Sequence, residues 1–196
     1  MTRLFNWHLG GTGSRVAVYE PQYNGRGLLY SEEIVVRAKK TNTDKGYAAS
    51  VQTKRATAVG KIIYNAKGQK LTLALGNGTT TTYSYDARTF RPTDLRSERA
   101  TAPRGLQNLQ YTYDPVGNIT HINDAAQETV FHNNSVIRPE HHYVYDAIYR
   151  LIEGSGRENF GAPAPPGNEE GPWPQGLIPT SNQPRNYTQY YTYDAV

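Results

Sequence analysis

An all-β chain built from repeated antiparallel hairpins is what this sequence predicts, and three observations predict it. Tyr-x-Tyr-Asp occurs four times, at Tyr83-Ser-Tyr-Asp86, Tyr111-Thr-Tyr-Asp114, Tyr143-Val-Tyr-Asp146 and Tyr191-Thr-Tyr-Asp194. Each copy enters on strand alternation and leaves through turn residues. Tyrosine supplies 16 residues of a chain whose hydrophobic share is only 37%. Such a chain buries rings with one apolar body and one wet tip, which suits half-buried sheet faces better than a Leu/Ile core.

The best-defined copy runs from Tyr111 to Asp124. Alternation puts Tyr111 and Tyr113 on one strand face and Thr112 on the other. Asp114 bonds the backbone ahead of it, Pro115 is pre-set for the second position of a type I turn, and Gly117 takes the left-handed conformation that follows. Asn118 leads into a β-branched return strand, Ile119 to Ile122. A lone hairpin of this size is marginal in water, so it needs neighbours.

The neighbours are repeats. Ile62-Ile-Tyr-Asn-Ala-Lys-Gly-Gln-Lys70 follows the same order, with Tyr64 as entry and Gly68 as turn glycine. The anchor tyrosines Tyr64, Tyr85, Tyr113, Tyr145 and Tyr193 are spaced by 21 residues at first and by 48 at the end. Units of about 20 residues with growing insertions mean a stacked or coiled architecture. Thr89 and Tyr149 stand where the turn glycine is expected, so those two turns close differently or carry strain.

Tyr113-Asp-Pro-Val-Gly-Asn-Ile119, Tyr145-Asp-Ala-Ile-Tyr-Arg-Leu-Ile-Glu153 and Gly76-Asn-Gly-Thr-Thr-Thr-Thr-Tyr-Ser-Tyr-Asp86 resemble the Rhs, or YD-repeat, proteins. They are most similar to the repeat regions of the B and C components of bacterial insecticidal toxin complexes. The resemblance covers about Lys61 to Val196. It implies a curling β-sheet that spirals into a hollow shell around a toxic C-terminal segment. It also implies partners, namely other repeats and components of the same toxin assembly and the enclosed segment, and a secreted, extracellular setting tied to virulence. The family's closing core segment, which in many members cuts the chain with aspartates, lies downstream of such repeats and is not matched here.

Four segments are expected along the chain. Residues 1–60 are a poorly defined β/loop segment, in which Gly10-Gly-Thr-Gly-Ser14 lacks the Lys-Ser/Thr ending of a phosphate loop and reads as a turn. There the β-branched run Ile34-Val35-Val36 favours a strand over a helix, and Tyr47 to Ala58 alternates weakly. Residues 61–153 are the repeat region. It includes a hairpin of Leu71 to Leu75 and Thr79 to Tyr85, a polar arginine-rich connector from Asp86 to Arg104, and a strand near Glu128 to Phe131 before an Asn133-Asn-Ser135 loop. Residues 154–186 hold seven of the twelve prolines between Gly161 and Pro184 and read as an insertion with Arg157 and Arg185 open to proteases. Residues 187–196 open a further repeat that breaks off in mid-turn at Asp194, as in a piece of a longer protein.

Charge divides unevenly, with 17 basic against 7 acidic residues up to Arg104 and 4 against 10 beyond it. Single charges on alternate strand positions fit a solvated or lumen-lining face better than a nucleic-acid surface. No apolar run is long enough for a membrane helix and no signal-like segment follows Met1. With no cysteine there is neither disulfide framework nor thiolate chemistry. No Gly-x-Ser-x-Gly elbow occurs, and the repeated aspartates sit at one turn position where backbone bonding explains them. Among the five histidines, His141 and His142 point to opposite strand faces, while His121 and His132 bracket a turn near Asp124; all read as solvated strand residues. No cofactor, metal or catalytic residue is therefore expected. Four Asn-x-Ser/Thr matches follow from turn composition. The expected function is structural, a non-enzymatic segment of a toxin-enclosing repeat shell. The alternative is an extracellular module that binds carbohydrate or a cell surface through stacked rings.

Overall fold

The computed structural model describes residues 4–5, 15–41, 47–49, 51, 53–159 and 184–194. Among them every regular element is a strand: β1 Leu4–Phe5, β2 Arg15–Tyr23, β3 Leu29–Lys40, β4 Tyr47–Ala48, β5 Lys54–Tyr64, β6 Lys70–Leu75, β7 Thr79–Tyr85, β8 Pro92–Arg99, β9 Gly105–Tyr113, β10 Ile119–Asp124, β11 Val130–His132, β12 Ser135–Ile137, β13 Glu140–Tyr145, β14 Leu151–Asn159 and β15 Pro184–Tyr190. No helix long and apolar enough to cross a membrane is present among the described residues. The all-β, antiparallel hairpin expectation holds.

The chain divides into two compact units, Met1–Ser84 with Leu95–Leu106, and Tyr85–Asp94 with Gln107–Val196. In the first unit the strand order is β1-β2-β3-β5-β6-β7, with β4 paired to β3. Its core is a cross-strand cluster in which Val18 opposes Val35 and Val16 opposes Ala38, all four buried, with Tyr47 packed against them. Each such valine contributes roughly 1.5–3 kcal/mol through burial. Glu20 follows Val18 on the same strand face and is only 2% exposed. It meets Arg55 at 2.6 Å, with the Tyr47 hydroxyl 3.4 Å from its other oxygen, so the buried carboxylate is paired as burial requires. In the second unit the order is β9-β10-β13-β14-β15, beside a separate β11–β12 hairpin. That hairpin turns on Asn133 and Asn134, with φ of 48° and 58°; two left-handed residues in a two-residue loop make a turn that matches strand twist.

The strands fall as follows against the expected segments. Among the described part of residues 1–60, β2 and β3 hold the most buried cluster, and Val16-Ala-Val18-Tyr carries the alternation that marks it. The boundary at 60/61 falls inside β5. The arginine-rich connector contains β8; a half-solvated sheet accepts charged residues on one face while Ser97 meets Thr81 hydroxyl to hydroxyl at 2.8 Å. The insertion is shorter than 154–186, since β14 extends to Asn159 and β15 begins at Pro184, with Arg157 opposite Asn186 and Glu158 opposite Arg185. Gly156 allows this, because a Cβ there would lie 2.2 Å from His141 Nδ1. Glycine in a strand marks such close approach. Residues 160–183 lie outside the described residues, as does Gly10 to Ser14.

Candidate functional site: the Tyr-Asx turns and their latches

Among the described residues, turns form on an Asn or Asp that immediately follows a tyrosine at Asn24, Asn65, Asp86, Asp114 and Asp146, and four of them share one geometry. The N–H of the turn residue donates to the carbonyl four positions on, at Asn24–Leu28, Asn65–Gln69, Asp114–Asn118 and Asp146–Arg150 (2.9–3.0 Å). The N–H three positions on returns to the turn residue's own carbonyl, from Gly27, Gly68, Gly117 and Tyr149. All four of these residues have positive φ, at 75°, 84°, 117° and 66°. The side-chain Oδ1 accepts backbone N–H groups inside the loop, which is the Asx chemistry that favours these residues at turns.

The outer side-chain atom is matched by the residue four positions on. Asn65 Nδ2 donates to Gln69 Oε1, whereas Asp114 Oδ2 accepts from Asn118 Nδ2 and Asp146 Oδ2 accepts from Arg150 Nε. Burial pushes the Asp114 carboxyl up, but hydrogen bonds from Asn118 and from the N–H groups of Gly117, Asn118 and Val116 leave it below the ordinary carboxylate range. The Arg150 side chain, followed by loop N–H groups, lowers the Asp146 carboxyl. Asp86 is lowered chiefly by the Thr89 N–H and then by the Thr89 hydroxyl. Its turn is one residue longer, with Asp86 N–H on Arg91 O and the positive φ at Phe90 (60°). So the missing glycine is handled in two ways: the Asp86 turn lengthens, and the Asp146 turn forces Tyr149 into the left-handed region.

Beyond each of the four regular turns the return strand carries a bulge. Leu29, Lys70, Ile119 and Leu151 pair with Tyr23, Tyr64, Tyr113 and Tyr145, and one residue is then skipped before pairing resumes. A bulge interrupts the ladder and increases local twist. The anchor tyrosines reach these interruptions. Tyr64 donates its hydroxyl to Leu29 O at 2.7 Å, Tyr145 to Ile119 O at 2.9 Å and Tyr193 to Leu151 O at 2.7 Å. Tyr113 does the same to Pro92 O at 2.8 Å, beyond the longer Asp86 turn. The Asn24, Asp86, Asp114 and Asp146 turns are thus each latched by the tyrosine that opens a later turn.

Arginines add a second clamp. Arg26 donates to the carbonyls of Asn65 and Ala66, and Arg91 to those of Asp114 and Val116. Arg91 also lies over the Tyr113 ring, and Arg150 over Tyr193 at 4.7 Å. A Cβ on Gly117 would sit 2.5 Å from Arg91 Nη2, so this glycine serves both φ and the approach of the guanidinium.

The remaining expected anchors are placed as follows. Tyr83 and Tyr85 lie on β7, half-buried. Tyr111 stacks on Tyr113 with centroids 6.4 Å apart. Tyr143 opposes Gly154, and burial pushes its hydroxyl up. Asp194 is exposed, and the residues after it lie outside the described ones. The Asn24 turn and the Arg26 and Arg91 clamps were missed in the sequence. Tyr23-Asn-Gly-Arg-Gly27 has the spacing of Tyr64-Asn-Ala-Lys-Gly68 and signals the turn; nothing in the spacing signals the clamps. Nor does His121 meet His132: β10 pairs with β13, which puts His121 opposite His142 with Glu140 beside them.

No protein-family model matches the chain. It is 43% identical over 141 residues to toxin subunit YenC2 of Yersinia entomophaga, an alignment that covers 68% of this chain and 14% of that protein. Among solved structures it is similar to a Photorhabdus luminescens Tc holotoxin pore with a mutation in TccC3, at 29% identity and TM-score 0.67, covering 98% of this chain and 8% of that one. It is also similar to TcdB2-TccC3-TEV, at 32% identity and TM-score 0.64, covering 92% of this chain and 8% of that one. One turn geometry repeated in both units, together with these likenesses, identifies the chain as a member of the Rhs, or YD-repeat, family, resembling the repeat region of insecticidal toxin complex B and C components.

Proposed function

We propose that this chain is a wall segment of a toxin-complex repeat shell, without catalytic activity of its own, and that the shell encloses a toxic segment of the intact protein in an extracellular assembly. The observation that carries this reading is the latch of Tyr64, Tyr145 and Tyr193 onto the bulge beyond an earlier turn. The bulges beyond the four regular turns add twist there, and a sheet bulged at repeated turns curls rather than lying flat. The turn residues Asn65, Asp86, Asp114 and Asp146 act as stability anchors, because their polar atoms are directed at loop backbone and at partners four residues on. The partners are adjoining YD-repeat segments, which extend the same hairpin series.

The surface-recognition alternative would use exposed rings such as Tyr149 and Tyr190. It draws no support from Tyr64, Tyr113, Tyr145 and Tyr193, whose hydroxyls donate to backbone carbonyls.

The test is a chimera in which this chain replaces its aligned stretch in toxin subunit YenC2. A shell segment yields particles that are hollow by electron microscopy and shield an interior segment from added protease. Collapsed particles, or digestion of that segment at the rate of an unenclosed control, overturn the reading.

A further inference from the structure

Three ligand-bearing side chains converge in the second unit where β10 meets β13. Antiparallel pairing puts His121 opposite His142 and Asn123 opposite Glu140. Residues two apart on β13 share a face, so Glu140 and His142 both stand beside His121. The same cross-strand row continues to Thr112 on β9 and Ser155 on β14. The two imidazoles stack with centroids 4.4 Å apart and planes 15° apart. His121 Nε2 is 3.4 Å from one Glu140 oxygen and His142 Nε2 is 3.6 Å from the other. The three ligand atoms lie within 4.8 Å of one another. His121 Nε2 is shut away from solvent and has no hydrogen-bond partner.

We propose that His121, Glu140 and His142 form a binding site for a divalent transition-metal ion of the zinc class, which staples β10 to β13. Zinc binds histidine nitrogen and carboxylate oxygen at about 2.0–2.2 Å, which gives ligand-to-ligand edges of roughly 3.4 Å in a tetrahedron. Two of the three edges already have that length. The stacked rings lie in nearly parallel planes. His142, whose side chain is 53% exposed, therefore turns out of the stack to bring its Nε2 lone pair onto an ion held by His121 and Glu140. Two imidazoles and one carboxylate suit zinc, copper or nickel, whereas magnesium and calcium take oxygen ligands.

The rival arrangement is a histidine pair hydrogen-bonded through the shared Glu140. It fits less well, since both contacts are longer than a good N–H···O bond and the His121 nitrogen is left without a partner. Among the described residues Arg138 also faces the carboxylate, 3.9 Å away and 63% exposed, so it can swing off when a cation enters. Glu140 and His142 also line a cavity of about 250 Å3 with Ser155 and Tyr187, which brings solvent up to these two ligands. The staple closes the 125–139 excursion that separates the two strands, the place where strand pairing has least help from a short turn.

The experiment is calorimetric titration of the untagged chain with Zn2+, with Mg2+ as control, alongside thermal unfolding and Co2+ spectroscopy. The chain binds one equivalent of Zn2+, its unfolding midpoint rises with Zn2+ and not with Mg2+, and bound Co2+ shows the intense visible bands of four-coordination. His121→Gln and His142→Gln each abolish the binding, Glu140→Gln weakens it at least tenfold, and His132→Gln leaves it unchanged. The proposal is overturned by the absence of one-equivalent binding to the wild-type chain, by Co2+ bands of a six-coordinate ion, or by binding that survives in a folded His121→Gln variant.

Discussion

The hydroxyl of Tyr145 donates to the carbonyl oxygen of Ile119 at 2.9 Å, joining the strand that enters one turn to the first residue beyond the turn before it. The bulge that follows Ile119 interrupts the ladder at that carbonyl, and the phenol bonds it there. Tyr145→Phe removes the donor and keeps the ring. The expected loss is about 0.5–1.5 kcal/mol in urea unfolding. Tyr191 bonds Gln189 on its own segment at an exposed position, so Tyr191→Phe should cost clearly less. Equal effects for the two substitutions would show that the latch adds nothing beyond an ordinary surface hydrogen bond.

Alkaline pH should release the Tyr113 and Tyr145 latches. Burial raises the hydroxyls of Tyr113, Tyr143 and Tyr145, with nearby Tyr111, Tyr187 and Asp114 respectively adding to it. A group raised in the folded state contributes stability that is complete below its unfolded value, about 10 for tyrosine. That stability is lost as pH rises through the folded value. Stability should therefore hold up to about pH 10 and fall above it, and phenolate absorbance should show a late-titrating class. In Tyr145→Phe the alkaline fall should be shallower. A fall that begins well below the ordinary tyrosine value would contradict the assignment.

At the acid end the signs reverse. Asp86, Asp114 and Asp146 are held below the ordinary carboxylate value by the turn hydrogen bonds, so their stabilisation is present above about pH 4 and is lost as pH falls through the lower folded values. Asn24 and Asn65 make the same backbone bonds without a charge. Asp114→Asn should thus fold normally at neutral pH and show a flatter acid limb, with Asn118 turning its amide to present oxygen. Asp114→Ala should lose the turn at every pH. The check is a set of urea midpoints from pH 2 to 7 for the three proteins; an unchanged acid limb in Asp114→Asn would sink the idea.

The turn chemistry was legible because it is local: an Asn or Asp with a positive-φ residue three positions on specifies the same loop wherever it occurs. The Asn24 copy has the spacing of the Asn65 copy and was legible by the same rule. What lies across strands was not legible. Arg26 and Arg91 reach carbonyls 23 to 40 positions away, and the pairing of His121 with His142 depends on how β11 and β12 loop out of the path. The arginine-rich β8 shows the limit of composition, because charge density says little when one sheet face is solvated.

Gly117→Val tests the regular turn. The substitution forces a β-branched residue to a φ of 117° and drives its Cβ to 2.5 Å from Arg91 Nη2. The hairpin should lose about 1–3 kcal/mol, read as faster amide exchange across β9 and β10 with smaller changes in the first unit. Unchanged protection there would mean that the loop does not depend on this glycine.

Tyr149→Gly is the mirror experiment, and it should stabilise. Tyr149 occupies the position that Gly27, Gly68 and Gly117 hold in the other regular turns, with φ of 66° and its N–H on Asp146 O. A non-glycine residue in the left-handed region costs about 1–2 kcal/mol. The ring recovers little of this by burial, since Tyr149 is 57% exposed. Glycine removes the strain but loses more chain entropy on folding, about 0.5–1 kcal/mol. The net expected gain is about 0.5–1 kcal/mol in thermal or urea unfolding. Asparagine, which tolerates the left-handed region better than most residues, should fall between tyrosine and glycine, while alanine should give no gain. If glycine destabilises the chain, Tyr149 holds something beyond the turn, and the view of this position as a strained substitute for the repeat glycine fails.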